Sequence, residues 1–449
     1  MVTPIFKKGC SNNVANYRPI SLTCVACKIF ETSIKDQVLK YLLDANILSG
    51  SQHGFLSGHS TNTNLLESLN DWTINIKNGN QTRVITVDYA RAFDSVSYRK
   101  LLLKLKTYGI GTSVLQIIES FLLNRTQCVV IEGLKSDQTE LISGVPQGSV
   151  LAPLLFVVYV NDLTEILSPR ITLKLFADDA KLYTEIKTGD DIDELQMCID
   201  RLSHWSNVWQ LNISISKCAL IDIGYKKDYF CENTIDGELL KSVDEMKDLG
   251  VMIDNKLSFS SHIAQIVAKA KQRTFLIFRA FRTRDRVPLL VAFKSFILPI
   301  ITYCSSTWSP HLWGDIQTIE SIQRLFTRKL TGLEKMTYPE RLKILNLPSL
   351  ELRRLRADLL MCFKILNGYV AGDLSNYGLS YSNTGTRGHA QKLFVEHSKV
   401  AVRSNYFGNR IVKPWNSLPA EVINSPSVES FKKRIAKCDL GKYLSQFKY

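Results

Sequence analysis

Two periods of apolar residues organise the chain. In VACKIFETSIKDQVLKYLLDANIL (25–48), Ile29, Ile34, Val38 and Leu42 recur at helical spacing and predict an amphipathic helix. A Gly/Ser-rich loop, SQHGFLSGHST, leads into a second predicted helix, TNTNLLESLNDWTINIKNG. VITVDY is apolar without alternation, so it predicts a strand buried on both faces and ending at Asp88. SVSYRKLLLKLKTYGIG and TSVLQIIESFLLNR read as helices, TQCVVIEGLKSDQTELIS as a hairpin, and GVPQGS as the opening of a helix, VLAPLLFVVYVNDL. KLFADDAKLY (174–183) predicts a hairpin with two acids at its tip. IDELQMCIDRLSHWSNVWQ follows as an amphipathic helix and ALIDIGY as a strand. Upstream, NYRPISL reads as a loop entering a short strand. The order β–α–ββ–α–β predicts an α+β fold with helices on one face of a sheet. After KDLGVMID the texture turns helical to the end, with no internal repeat.

Charge changes this picture more than composition does. The 449 residues are 45% hydrophobic and 10% aromatic, as in a folded protein with more than one core. The formal charge of +14 points to a polyanionic partner, nucleic acid before an anionic membrane. Between 261 and 300, Lys269, Lys271, Arg273, Arg279, Arg282, Arg284, Arg286 and Lys294 face one acid, Asp285. The ten cysteines are scattered; only Cys24 and Cys27 form a C-x-x-C, expected on the buried face of a helix rather than in a zinc site. Nothing suggests a disulfide framework, and a reducing, intracellular setting is expected. No stretch reads as a signal peptide or a membrane span: VLAPLLFVVYV is too short, and LLVAFKSFILPIITY is interrupted by Lys and Pro.

The acids raise a chemical question. Two adjacent carboxylates are unfavourable in a strand hairpin. If the strand ending at Asp88 and the FADD hairpin share one sheet, Asp88, Asp178 and Asp179 converge. Three carboxylates stay ionised together only beside a strong positive charge, and hard oxygen ligands favour Mg²⁺ or Mn²⁺. Two such ions are a common apparatus for displacement at phosphorus.

VDYARAFDSV, GVPQGSVLAPLLF and FADD, in that order, resemble the core motifs of a reverse transcriptase palm. PIFKKG with NYRPISL, QHGF, WSNVWQLNISISKC and KDLGVMID resemble the flanking motifs of non-LTR (LINE-type, jockey/CR1/RTE-like) retrotransposon polymerases, and RIVKPWNSLPAEV resembles the ends of such reading frames. The resemblance implies a right-hand polymerase with N-terminally truncated fingers (1–83), a ferredoxin-like palm (84–255), a helical basic thumb (256–335) and a mostly helical C-terminal accessory region (336–449). It implies an RNA-directed DNA polymerase that extends a 3′-OH primer on an RNA template with dNTPs and two Mg²⁺ (or Mn²⁺) ions. Its partners would be template RNA, DNA primer and RNA–DNA hybrid, with no membrane, and it would act in the nucleus during retrotransposition. Asp88, Asp178 and Asp179 would be catalytic metal ligands, and Lys217 in ISKCA would protonate the departing pyrophosphate. Arg18, Lys28, Phe93, Gln147 and Gly148 would bind the nucleotide, Phe93 by excluding a 2′-hydroxyl; the plainer reading of Phe93 is a core ring, and of Lys28 a surface cation. Asp94 is expected to cap the following helix. Lys7 and Lys8 would touch the template backbone, and Lys269, Lys271, Arg273, Arg279 and Arg282 would grip duplex phosphates. Leu56 and His59 depart from the basic residues common in that family, and Ser97-Tyr98 from a His-containing phrase. No endonuclease, Cys/His knuckle or RNase H-like region is apparent. The alternative is a catalytically inactive or domesticated remnant that binds nucleic acid.

Overall fold

The computed structural model describes residues 1–224, 232–383 and 388–445. A hairpin of β1 (Val2–Phe6) and β2 (Tyr17–Ser21) opens the chain, with Val2 opposite Ser21 and Phe6 opposite Tyr17. Then come α1 (Val25–Asp44), α2 (Thr61–Lys77), β3 (Gln81–Val87), α3 (Tyr98–Thr107) and α4 (Thr112–Leu122). A nested hairpin follows, Thr126–Gln127 pairing with Thr139–Glu140 outside Val130–Ile131 and Leu134–Lys135. Next are α5 (Ala152–Val160), β4 (Thr172–Phe176), β5 (Asp179–Ile186), α6 (Gly189–Trp209), β6 (Ala219–Ile223), β7 (Lys241–Ser242), β8 (Glu245–Asp248) and β9 (Val251–Asp254). The helices that matter thereafter are α7 (Ser260–Ala280), α8 (Arg286–Ala292), α9 (Trp313–Arg328) and α10 (Leu350–Leu366).

The chain forms two compact units. The first takes Met1–His59, Arg83–Leu220 and a short stretch ending at Ser242. Its sheet runs β7–β6–β3–β5–β4. The predicted burial of β3 holds: six of its seven residues are buried. Every residue of α5 except Pro153 is buried. A helix apolar all round belongs inside a core, and Leu155, Phe156 and Tyr159 pack there with Ile85, Leu101, Leu175, Leu182 and Leu202. Each such side chain contributes about 1.5–3 kcal/mol by leaving water.

Two expectations fail in α1. Val38 and Leu42 are buried, but Ile29 is 68% exposed. Cys24 is the exposed N-cap of the helix and Cys27 is half-buried, so the C-x-x-C is not a buried face. What α1 buries instead is Glu31, at 1% exposure. Its carboxylate accepts from the Val150 and Leu151 amides at 2.7 and 2.9 Å and from the Cys27 thiol at 3.2 Å. A carboxylate satisfies the free amides of a helix start and complements its dipole. Tyr225, the last residue of the predicted strand ALIDIGY, and Cys231 lie outside the described residues.

The second unit takes Ser60–Thr82, a short stretch beginning at Ile221 and the chain from Val243 on. Its α2 is held by later segments: Tyr406 donates to the Leu66 carbonyl at 2.9 Å, Tyr377 to Glu67 at 3.0 Å, and Arg403 to Asn70 at 2.9 Å. β8 and β9 form a hairpin, and Asp254 at its end accepts from the Lys256, Ser258 and Phe259 amides, turning the chain into α7. The WNSLP phrase is core: Trp415 is fully buried, and the Asn416 side chain bonds both backbone groups of Leu393 at 2.8 Å.

Candidate active site

Asp88 follows directly on the last residue of β3, and β3 lies beside β5. β4 and β5 pair with Phe176 opposite Asp179, so Ala177 and Asp178 form a two-residue turn between them. The predicted hairpin is present, with Asp178 in the turn and Asp179 opening β5, exposed. Burial holds the Asp178 carboxyl above its ordinary range; its own backbone amide pulls it back, the Asp88 charge raises it further, and Arg18 and Lys7 offset part of that. The Asp88 carboxylate thus acts by its charge on Asp178, far from it in sequence.

Lys217 reaches the same place. The Ser214 amide donates to the Asp88 carbonyl and the Ala90 amide to that of Asn212, both at 2.8 Å. This clamp delivers the short helical turn Ile215–Lys217, and Lys217 Nζ donates to Asp88 Oδ1 at 2.9 Å. The pair is open to solvent, 61% and 39% exposed, so it contributes at most about 1 kcal/mol to stability.

The donor set fits a hard divalent cation: hard oxygen ligands, two of them mutually repelling. Among the described residues no three His, Cys, Asp or Glu side chains are gathered as a ready ligand group.

The second predicted group sits on the segment before α5. The Val145 amide donates to the Phe93 carbonyl and the Ser21 amide to the Gln147 carbonyl, at 2.8 and 2.7 Å. Gly148 has φ +112°, and a Cβ there would lie 2.5 Å from the Ser21 carbonyl oxygen, so only glycine fits against β2. Gln147 Nε2 donates to Asp94 Oδ1 at 2.9 Å. Asp94 therefore does not cap the following helix; Ser97 is the N-cap of α3, with no side-chain cap bond. Burial raises the Asp94 carboxyl, against the Gln147 hydrogen bond and the charges of Arg91 and Lys7. Phe93 is half-buried, stacked on Phe156 at 4.4 Å and edge-on to Phe55 at 6.3 Å. Arg18, exposed on β2, acts on Asp178 through its charge. Lys28 is exposed on the first turn of α1.

In the second unit, Lys269, Lys271, Arg273 and Arg279 are exposed on α7, and Arg282 just beyond it. Phe275 and Leu276, 62% and 49% exposed, lie among them. Trp308 is core and Trp313 exposed.

Lys7, expected at the template backbone, acts through its charge on both Asp94 and Asp178. Two residues of this region escape sequence reasoning as site elements: Glu31, and Gln52, which touches the turn before Asp178. Their partners are distant in sequence and give no local signal.

The family described as Reverse transcriptase (RNA-dependent DNA polymerase) matches residues 5–276. The probable RNA-directed DNA polymerase from transposon X-element of Drosophila melanogaster is 28% identical over 327 residues, covering 71% of this chain and 36% of that protein. The RNA-directed DNA polymerase from mobile element jockey of the same organism is 27% identical over 330 residues, with the same two coverages, 71% and 36%. The chain spans about a third of the length of these curated relatives (36%). Among solved structures, apo telomerase from Candida tropicalis aligns at 13% identity over 70% of this chain and 50% of that one, with a TM-score of 0.42.

Proposed function

The chain belongs to the reverse transcriptase (RNA-dependent DNA polymerase) family, and from that premise we propose that it is the RNA-directed DNA polymerase of a LINE-type retrotransposon, extending a 3′-OH primer on an RNA template with dNTPs. The observation that supports this best is the placing of Asp88 and Asp178 at neighbouring strand ends, where the Asp88 charge raises the Asp178 carboxyl.

Asp88 and Asp178, with Asp179 as a third donor, would hold divalent cations, Mg²⁺ or Mn²⁺ and two in number. When bound, these supply activation of the primer oxygen and neutralisation of phosphate charge. Arg18 and Lys28 take triphosphate oxygens. Phe93 lies under the incoming sugar and rejects a 2′-hydroxyl. Gly148 and the Gln147 backbone let the nucleotide come close to the chain. Lys217 Nζ carries the proton given to the departing pyrophosphate. In this reading residues 84–255 serve as palm and 256–335 as thumb, and the α7 cations hold the RNA–DNA duplex by its phosphates. The work would be done in the nucleus, at chromosomal DNA.

The test is primer extension on poly(rA)/oligo(dT) with Mg²⁺, wild type beside Asp178→Ala. Wild type incorporates dTTP and the variant falls to background. Equal incorporation by the two folded proteins overturns the reading.

A further inference from the structure

We infer that Gln52 is a positioning residue for the turn that carries Asp178, a role that rests on the polymerase reading above. Ala177, the first residue of that two-residue turn, has φ 56°, in the left-handed region that favours glycine. An alanine there needs an external hold, and Gln52 supplies it. Gln52 Oε1 accepts from the Ala177 amide at 3.0 Å and from the Gly54 amide at 2.7 Å, filling both lone-pair directions of one oxygen.

The segment around Gln52 is seated on the sheet by its backbone. The Leu175 amide donates to the Ser51 carbonyl at 2.9 Å and the His53 amide to the Leu175 carbonyl at 2.8 Å, a parallel bridge outside β4. The approach is so close that a Cβ on Gly54 would lie 2.4 Å from the Ala177 nitrogen. Gln52 is 1% exposed, so water does not stand in for it. Its Nε2 is buried with no hydrogen-bond partner. An apolar side chain of the same length would avoid that cost; the amide is tolerated for its oxygen. Through that oxygen the turn conformation, and with it the direction in which Asp178 leaves the sheet, is tied to Gln52.

The experiment uses the full chain as wild type, Gln52→Met (same reach, no acceptor) and Gln52→Glu (acceptor kept). Hydrogen exchange with residue resolution reads the Ala177 amide, and primer extension reads kcat, the KM for dTTP and the Mg²⁺ concentration giving half-maximal rate. In wild type the Ala177 amide exchanges as slowly as the β4–β5 ladder. Gln52→Met speeds it by about tenfold, the loss of one buried hydrogen bond, and leaves the Leu173 and Leu182 amides unchanged. In that variant kcat falls by about a hundredfold, the order expected for a displaced reacting group. Half-saturating Mg²⁺ rises while the KM for dTTP stays put, a split that general loosening of the fold does not give. Gln52→Glu keeps the slow Ala177 exchange. Fast exchange at Ala177 in wild type, or a Gln52→Met protein indistinguishable from wild type, overturns the inference. Should Gln52→Met not fold, wild-type exchange and Gln52→Glu still decide it. A wild type inert in extension sinks the polymerase reading, while exchange at Ala177 continues to test Gln52.

Discussion

Glu31 offers a sharp test of how the proposed nucleotide side of the site is built. Its carboxylate is the hydrogen-bond partner of the Val150 and Leu151 amides, at the entry to α5 and directly after Gly144–Ser149. Glu31→Ala orphans two amides at a buried helix start, each costing about 1–3 kcal/mol. It also removes a negative charge from a helix N-terminus, about 0.3–1 kcal/mol. Some overlap of these effects leaves a total of about 3–5 kcal/mol, a large share of the roughly 5–15 kcal/mol that holds a domain together. Glu31→Gln keeps an acceptor and loses only the charge, so it costs about 1 kcal/mol. Hydrogen exchange of peptides covering 150–163 in rising urea reads the opening free energy of α5 itself, which avoids treating a chain of two units as a single transition. In extension assays Glu31→Ala raises the KM for dTTP, because the Gln147–Gly148 turn loses its anchor, and Glu31→Gln leaves it nearly unchanged. The reasoning fails if Glu31→Ala lies within about 1 kcal/mol of wild type, or if Gln costs as much as Ala.

Lys217→Met leaves thermal stability within about 1 kcal/mol, as for an exposed ion pair, yet lowers the single-turnover extension rate by about a hundredfold or more if the ammonium is the proton donor; an unchanged rate returns it to a surface role. Lys104 is buried, donates to Asp162 at 2.7 Å and lies 3.5 Å over the Trp209 ring; burial lowers its pKa to about 8. Unfolded, it titrates near 10.4, so between about 8 and 10.4 the unfolded chain binds more protons and stability rises with pH. Below about pH 8 the full cost of the buried charge is present, and Lys104→Met flattens the slope in pH-dependent unfolding. Replacing Lys269, Lys271 and Arg273 with Gln lowers the slope of log affinity against log salt for an RNA–DNA duplex by about 0.7–0.9 for each phosphate no longer neutralised; an unchanged slope removes α7 from the duplex-binding surface.

Much of the site was legible because its signals are local. The unbroken apolar run of β3, the hairpin around FADD and the all-apolar α5 each follow from a few neighbouring residues, and they place Asp88 and Asp178 at adjacent strand ends. What was not legible depends on partners far along the chain. Glu31 has the look of a surface acid on an amphipathic helix until Val150 and Leu151, 119 and 120 residues away, are brought to it. Asp94 fits a helix cap by position, but Gln147, 53 residues on, takes its carboxylate. Gln52 sits in a Gly/Ser-rich loop with no period at all, and only the bridge to Leu175 gives it a role. Ile29 fails in the opposite sense: it keeps the helical spacing, yet nothing in the described structure covers it.

The interleaving of the two units bears on how the protein is made. α2 is synthesised early but belongs to a unit whose other members come much later; Arg403, which bonds Asn70, is 333 residues downstream. At ribosomal speeds of about 5–20 residues per second this helix waits roughly 20–70 s for that partner. Meanwhile Leu65, Leu66, Leu69, Trp72 and Ile76, all buried in the finished protein, have no final home. A nascent chain with these five apolar side chains unplaced is a natural client for chaperones, and its yield in a host should depend on chaperone supply more than on the stability of the completed fold.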